Sequence, residues 1–407
     1  MTHHLISPSR LSPANVSHHA RAKHLSLASR RLGGFSLVEL MVAIVISSLL
    51  LIGVVEIFIN SRESYKLDEG LSRVQESGRF ATDFLDRAVR MAGNMGCLAN
   101  IKPGNIDNYL VGGGGAPFDI TRGIEGFEAN GTNPTQIYSL AASYPVVTLS
   151  ASNADWSPTL NTGLLPVGQA VPGSDILVVR SLSFDTTAVS ASNSTANVFV
   201  KLPNTLDAGQ VVMLTDCVRV AIFQINSTSN GGGQTTITHT PAGSPGNICP
   251  VWGSNLCPNG RIFTNGAEVG VLQVSVFYVG RGADGTSSLF EQRFDKGPGT
   301  PPNELVTGIE NMQVLYGVDT DADKPAGKPS HNADTYLPAN LVTDWTRVVS
   351  ARISLLARTY NVDRTAVDTT QDLSTYNLAG TFIDPVANPN DKQRRRVFNV
   401  TIKLRNR

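Results

Sequence analysis

The stretch Arg30-Arg31-Leu32-Gly33-Gly34-Phe35-Ser36-Leu37-Val38-Glu39-Leu40 begins a run of about 25 almost uninterrupted apolar residues that ends at Ile59. A helix of that length, at ~1.5 Å per residue, crosses a hydrocarbon core about 30 Å thick. The best position for a proteolytic cut lies before this run, between Gly34 and Phe35, whereas a secretory signal is cut after its apolar region. The sequence therefore predicts a cut that frees an amine at Phe35 and leaves the helix in the membrane.

This arrangement resembles the class III leader of type IV prepilins and type II secretion pseudopilins, which reads G|F-[ST]-L-x-E. Gly34 matches the residue before the cut, Phe35 the new N-terminus, and Glu39 the fifth mature residue. The resemblance implies cleavage by a prepilin peptidase and methylation of the Phe35 amine. It also implies a docking role for Glu39: a carboxylate that is costly alone in hydrocarbon can pair with the free amine of a neighbouring subunit.

The formal net charge of zero combines a basic leader with an acidic remainder. Residues 1–34 hold five basic side chains and no acid, so the predicted cut leaves 28 basic and 33 acidic groups, a net charge of −5. An acidic mature chain lacks the electrostatic footprint of a direct nucleic-acid binder. Because basic flanks stay in the cytoplasm, we expect a single-pass protein whose globular part lies outside. The resemblance implies the inner membrane of a Gram-negative cell, with a periplasmic globular part, and later the pilus or cell surface.

The four cysteines are predicted to form disulfides, because an even number in an exported chain indicates such bonds. Three connectivities exist for Cys97, Cys217, Cys249 and Cys257. The last two bracket a turn-rich stretch that can close on itself, so we favour Cys249 with Cys257 and Cys97 with Cys217. Zinc is the competing interpretation, but the chain has no C-x-x-C motif and few histidines near these residues.

The apolar run continues into an amphipathic pattern without a proline before Pro103. Small and apolar residues recur at spacings of four and three, with charged residues on the opposite positions, which is typical of one helix face packed on a sheet. One helix is predicted from Phe35 to about Met91, with Gly93 and Gly96 as stop signals. The predicted face consists of Leu67, Leu71, Val74, Gly78, Ala81, Leu85, Ala88 and Ala92.

After the helix, residues 97–170 are rich in loop-forming residues, and from Asp175 onward short β-branched runs predict strands. Polar linkers at hairpin spacing favour an antiparallel sheet. The predicted strands are 176–180, 198–201, 211–214, 220–225, 235–238, 271–278, 286–294, 309–318, 347–356 and 397–404.

A long N-terminal helix followed by antiparallel strands is the order of the type IV pilin fold, so we expect an α+β protein with large loop insertions. The predicted division is a cleaved leader at 1–34, a membrane and filament-core half-helix at 35–59, an amphipathic half-helix at 60–96 and a β-rich extracytoplasmic domain at 97–407. Several stretches resemble the PilW group of minor pilins in particular. They are residues 84–93 with Gly96-Cys97, Asp216-Cys217, residues 308–317 and residues 404–407.

The resemblance to PilW implies a minor pilin that enters the initiation or tip complex of a type IV pilus, supporting adhesion and twitching motility. Its implied partners are the prepilin peptidase, other minor pilins, the major pilin, a tip adhesin and the inner membrane. The first alternative is a type II secretion minor pseudopilin of the J type, which shares the leader, helix and sheet. A remote alternative from another class is a membrane-anchored extracytoplasmic enzyme.

A second feature, Asp319-x-Asp321-x-Asp323, follows the predicted strand at 309–318. Alternating carboxylates in a loop can converge on Ca²⁺. The loop is not an EF-hand, because Lys324 and Ser330 stand at the positions that need glycine and glutamate. Calcium is therefore the one cofactor that the sequence suggests, and a solvated acidic turn is the simpler interpretation.

No catalytic residue is predicted. The mature chain keeps only His239 and His331, and it has no G-x-S-x-G motif. The G-x-G-x-x-G match at 280–285 lacks a following helix and predicts a hairpin turn rather than a dinucleotide site. The arginines at 394–396 are expected to be a solvated strand edge.

Overall fold

The computed structural model describes residues 34–98, 103–140, 148–191, 197–249, 262–264, 266–321, 330–360, 374–385 and 393–406. The chain divides into two compact units, Met1–Ile59 and Asn60–Arg407.

The described part contains one α-helix, α1 (Leu37–Met91), followed by strands. The strands are β1 (Ile106–Asn108), β2 (Ile124–Ala129), β3 (Ile137–Ser139), β4 (Trp156–Ser157), β5 (Ile176–Leu182), β6 (Thr187–Ala191), β7 (Asn197–Lys201), β8 (Val211–Thr215), β9 (Val220–Gln224), β10 (Ser227–Gly231), β11 (Gln234–Thr238), β12 (Glu268–Arg281), β13 (Ser287–Arg293), β14 (Asn303–Thr307), β15 (Ile309–Val318), β16 (Thr335–Pro338), β17 (Val348–Arg358), β18 (Tyr376–Leu378), β19 (Thr381–Asp384) and β20 (Arg395–Lys403). Short 3₁₀ helices lie at Pro103–Asn105, Val111–Gly114, Ala116–Phe118, Asn153–Asp155, Ala339–Leu341 and Trp345–Arg347.

The predicted α+β class is confirmed: one long N-terminal helix precedes a mostly β domain. The helix ends at Met91 as expected, and Gly93 adopts a positive φ of 73° two residues later. A positive φ is easy only for glycine, which explains why the helix terminates there. The backbone N–H of Gly93 then donates to the Arg180 carbonyl at 3.0 Å, which fixes the chain's exit from the helix against β5.

The second half of α1 buries one face, which matches the predicted face from Val74 to Leu85 but not at Leu71, which is exposed. Its fully buried residues are Val74, Ser77, Gly78, Ala81, Leu85 and Val89. Along the exposed side, i,i+4 ion pairs join Glu69 to Arg73, Asp83 to Arg87 and Asp86 to Arg90, each at 2.6 Å. Burial of the apolar face provides most of the stability of such a helix, and each exposed ion pair adds only about 0.3–0.5 kcal/mol.

The strands form three sheets among the described residues. The largest has 13 strands, built around the long β12, which pairs with β5 and β13 toward one end and with β6 and β8 toward the other. A four-stranded sheet has the order β16-β15-β17-β20, and a small sheet has the order β18-β19-β3. Pairing is antiparallel, as predicted, except that β1 pairs with β9 and β19 with β3 in parallel.

The main core lies between α1 and both larger sheets. Leu85 and Val89 of the helix belong to one buried cluster with Phe277 of β12 and Tyr316 and Ile353 of the four-stranded sheet. Two further clusters of buried residues also include strands of the 13-stranded sheet. The helix thus covers residues of two sheets at once, which is why its buried stripe is narrow and rich in small residues.

Every strand predicted from the sequence is present within a few residues of its expected ends. Residues 97–170, expected to be rich in loops, also hold the unpredicted strands β1 to β4, and the six residues of β2 are all buried. β2 holds Glu125, Gly126 and Glu128. Such residues are depleted in strands, and they are stabilised here by partners distant in sequence rather than by propensity.

Candidate functional site

The N-terminal site consists of Gly34, Phe35 and the first turn of α1. Ser36 caps this turn: its Oγ accepts from the Glu39 N–H at 3.1 Å, and its carbonyl accepts from the Leu40 N–H at 3.1 Å. A serine with this geometry satisfies helix N–H groups that have no partner within the helix. The helix therefore begins at Leu37 rather than at Phe35, and the Gly34–Phe35 bond lies in non-helical chain that a peptidase can reach.

Phe35 is 82% exposed, and Glu39 lies in the first turn of α1. The helix was predicted to begin at Phe35, and in the structure Phe35 precedes it. Whether Gly34–Phe35 is cut, Phe35 is methylated and Glu39 docks subunits stays a prediction.

The helix residues after this turn present apolar side chains on all sides. An 18-residue window reaches a mean hydropathy of 2.8 with none of it buried, so the helix is long and apolar enough to cross a membrane. Continuous apolar exposure on this scale is unfavourable in water. The segment up to Ile59 is therefore suited to lipid or to the apolar surfaces of other helices.

The second half of the helix is held to β20 by a glycine. A Cβ atom at Gly78 would overlap the ring of Phe398, so only the absence of a side chain lets this ring lie on the helix backbone. About two turns further along the same face, Leu85 is completely buried. The close contact fixes how the C-terminal strand sits against the helix.

A disulfide between Cys97 and Cys217 joins the chain just after the helix to the turn between β8 and β9. The turn is closed by Asp216, whose Oδ1 accepts from the backbone N–H groups of Val218 and Arg219 at 3.0 and 2.8 Å. The favoured Cys97–Cys217 pair is confirmed. Cys249 is also disulfide-bonded, and Cys257 lies outside the described residues.

Two of the three predicted calcium ligands lie together, with an unpredicted third. Carboxylate oxygens of Asp319, Asp321 and Asp334 lie within 4.8 Å of one another, while Asp323 is outside the described residues. Asp319 also accepts from the backbone N–H groups of Asp321 and His331, at 2.9 and 2.6 Å. These bonds hold the loop without a metal, and calcium binding stays a prediction.

A buried carboxylate that the sequence did not single out connects the two larger sheets. Asp175 accepts from the Ala129 N–H of β2 at 2.9 Å and from the Val314 N–H of β15 at 2.8 Å. Glu128, beside Ala129, accepts from the Ala339 N–H at 3.3 Å. Burial and then the neighbouring Asp175 carboxylate raise the pKa of Glu128 to about 10, while burial raises the pKa of Asp175 to about 7. Glu128 is therefore protonated at neutral pH.

A second buried set was expected to be solvated. Arg395 makes a bidentate ion pair with Glu310 of β15, with Nε–Oε2 and Nη2–Oε1 distances of 2.5 and 3.0 Å, and Arg358 reaches the same carboxylate at 3.4 Å. The expectation of a solvated edge is thus wrong for Arg395 and right for Arg396, which is exposed. An alternating strand puts neighbouring residues on opposite faces, and that alternation could have separated these two arginines.

The remaining candidate motifs do not assemble a catalytic centre among the described residues. The G-x-G-x-x-G segment is the turn between β12 and β13, closed by the Gly285 N–H donating to Gly282 at 3.0 Å. His239 is buried beside Phe223, with ring centroids 5.5 Å apart, and burial lowers the pKa of His239 to about 4. His331 belongs to the Asp319 loop.

Two family models match this chain. Residues 276–406 match the model described as Type IV Pilus-assembly protein W, and residues 29–55 match the Prokaryotic N-terminal methylation motif. Together the two matches support a type IV pilin of the PilW kind. The resemblance drawn from the sequence is confirmed, and it indicates a structural protein that is processed by prepilin peptidase and assembles with other pilins. A search of curated proteins finds no match.

The PilW match covers the second half of β12 and continues through β20. It therefore includes the Glu310–Arg395 ion pair, the Phe398 ring on the helix and the Asp319 loop. The methylation motif covers the predicted cleavage site and most of the apolar run. The chain between these PilW-family parts holds Asp175 and Cys217, whose contacts connect it to the rest of the fold.

Proposed function

We propose that this chain is a minor pilin of the PilW type, cut between Gly34 and Phe35 and incorporated with other minor pilins into the initiation or tip complex of a type IV pilus. The observation that carries the proposal is the capped helix start, which leaves Gly34–Phe35 accessible directly before a fully exposed apolar helix. A cut at this bond removes the basic leader and keeps the helix that other pilins can receive.

The energetics of transfer support an assembly role. The helix leaves lipid only when another apolar environment accepts it, and packed helices of neighbouring subunits are such an environment. In this proposal Glu39 aligns each subunit with its neighbour. Its carboxylate is stabilised beside the free amine of the neighbouring chain and is unfavourable in an apolar environment alone. Glu39 lies in the first turn of α1, four residues after Phe35, the proposed N-terminus of the mature chain.

The processing step is tested by the intact mass and N-terminal sequence of the membrane-purified protein, from cells with and without prepilin peptidase. We expect a start at Phe35, heavier by one methyl group, only when the peptidase is present. The Gly34→Ala variant is expected to be cleaved poorly, and Gly33→Ala serves as the matched control. An intact leader in peptidase-positive cells, or a cut after Ile59, would contradict the proposal.

The choice of machine is tested by deletion and complementation. We expect a deletion strain to lose surface pili and twitching, to keep type II protein secretion, and to recover pili with the wild-type gene but not with Glu39→Leu. Loss of secretion with intact twitching would assign the chain to a pseudopilus instead.

A further inference from the structure

The last strand of the chain, β20, forms an open sheet edge. Its nine residues Arg395–Lys403 pair in continuous register with β17, and no other described strand pairs with its outer side. A strand in this position presents a row of unused backbone N–H and C=O groups. These groups can be satisfied by water or by a strand from another chain.

The devices that usually protect such an edge are missing from the centre of β20. Residues 397–402 contain no charge, proline or glycine, and the pairing with β17 has no bulge. Arg395 turns inward to Glu310, so the exposed charges are Arg396 at one end and Lys403 at the other. Natural edges are normally blocked by charges, prolines, bulges or short length. The central residues 397–402 lack all of these devices, so this part of the edge is suited to being covered.

A groove of about 1030 Å³ runs between this edge and the second half of α1. Its apolar lining comes from Phe80, Phe398 and Val400. All three are at least partly exposed. An extended segment lying beside β20 would therefore place every second side chain against an apolar wall.

The charged side chains of the groove that lack an ion-pair partner indicate which charge a bound segment would carry. Asp83 and Asp86 of its lining already pair with Arg87 and Arg90. Arg79 and Arg396 have no carboxylate partner among the described residues, against one such acid, Glu76. The guanidinium of Arg396 lies over the Phe398 ring, 5.7 Å from its centroid, so this cation borders the apolar wall of the groove. Acidic side chains on the incoming segment complement this pattern.

We propose that β20 is a docking edge for an extended strand of another protein, which pairs with its main chain, places apolar side chains on Phe398 and Val400, and sets carboxylates toward Arg79 and Arg396. In such strand addition the main-chain hydrogen bonds give affinity, and the alternate side chains give specificity. The inference rests on β20 and the helix alone, so it stands or falls independently of the proposed pilus role.

The test uses the full-length protein in detergent and the synthetic peptide acetyl-Glu-Thr-Val-Thr-Val-Thr-Glu-amide, whose two ends suit either strand direction. Backbone amide exchange of residues 396–403 is followed by mass spectrometry as the peptide is added. We expect exchange to slow in proportion to one plus the ratio of peptide concentration to Kd, reaching about fivefold at four times Kd. Amides of the opposite edge strand β16 serve as the internal control.

Two comparisons isolate the chemistry. A peptide with proline at its central valine cannot pair and is expected to give no slowing, and a peptide with lysine at both ends is expected to bind about threefold or more weakly. The double variant Arg79→Ala with Arg396→Ala is expected to lose the preference for glutamate, whereas Arg281→Ala, an exposed arginine elsewhere, keeps it. The melting temperature of each variant confirms that it is folded.

Equal binding of the glutamate, lysine and proline peptides would overturn the proposal, as would unchanged exchange at millimolar peptide. Slowing at residues 396–403 that appears with rising protein concentration and no peptide would assign the edge to a second copy of this chain, and would also overturn it.

Discussion

The ring of Phe398 lies on the backbone of Gly78, closer than any residue with a side chain would permit. These two residues are far apart in sequence, and their contact joins the helix to the last strand of the chain. The next tightest glycine of the second half of the helix is Gly70, where an added Cβ would lie 3.3 Å from a methyl group of Thr359.

We therefore expect Gly78→Ala to destabilise the globular unit even though alanine favours helices. Overpacking costs about 1–3 kcal/mol, which exceeds the ~1 kcal/mol gained in helix propensity. Gly70→Ala is the matched control and should be neutral or stabilising. Chemical denaturation of the full chain in detergent measures both, and an unchanged stability for Gly78→Ala would show that the Phe398 ring moves aside.

The pair Glu128 and Asp175 predicts a dependence of stability on pH. Both folded pKa values are raised, to about 10 and about 7, above ordinary values of 4.5 and 3.8. Between the ordinary pKa and the folded pKa of each group, the folded state keeps a proton that the unfolded state has released. The free energy of unfolding therefore falls as pH rises.

Glu128→Gln mimics the protonated carboxyl and should remove most of this dependence. We expect the wild-type protein to lose roughly 2–3 kcal/mol relative to this variant between pH 6 and pH 8, because Glu128 holds one extra proton in the folded state across both pH units. Glu63→Gln, on the exposed side of α1, is the control and should track the wild type. Parallel pH profiles for Glu128→Gln and the wild type would refute the assigned protonation of Glu128.

Removal of the disulfide between Cys97 and Cys217 should cost about 2–5 kcal/mol, because the bond closes a long loop that is otherwise free in the unfolded chain. The double variant Cys97→Ala with Cys217→Ala keeps the other disulfide and isolates this term. Thermal melting of the oxidised proteins measures the loss. Addition of reductant to the wild type should lower its melting temperature at least as far, and a double variant as stable as the wild type would contradict this role.

Calcium should raise the melting temperature if the Asp319 loop binds it, by an amount that grows with the logarithm of its concentration. Asp334→Asn should abolish the increase, since this carboxylate lies beside those of Asp319 and Asp321. Asp207→Asn, at an exposed loop residue, serves as the control. An unchanged melting curve in millimolar Ca²⁺ would count against the site.

The sequence was most informative where one pattern runs over many residues. The helix and the long β-branched strands were predictable because periodicity and propensity agree along them, as in β12 and β17. The shortest strands, such as β4 and β18, were missed because they are defined by pairing with distant partners rather than by their own composition.

The buried polar contacts were not predictable for the same reason. Asp175 reads locally as a turn residue before a strand, and nothing nearby indicates that it bridges Ala129 and Val314. Arg395 lies in a run of three arginines that indicates solvent, and only Glu310, 85 residues away in sequence, explains its burial. The N-terminal motif is different, because its parts are adjacent in the chain.

The disulfide after the helix also has a mechanical meaning. In a filament under load, tension passes along α1 and reaches the chain just beyond Met91. There Cys97 is bonded to the turn between β8 and β9, and β8 is hydrogen-bonded to the long β12. In the proposed filament the pull is thereby divided between the peptide backbone after Cys97 and a covalent cross-link to the largest sheet, so neither path carries all of it.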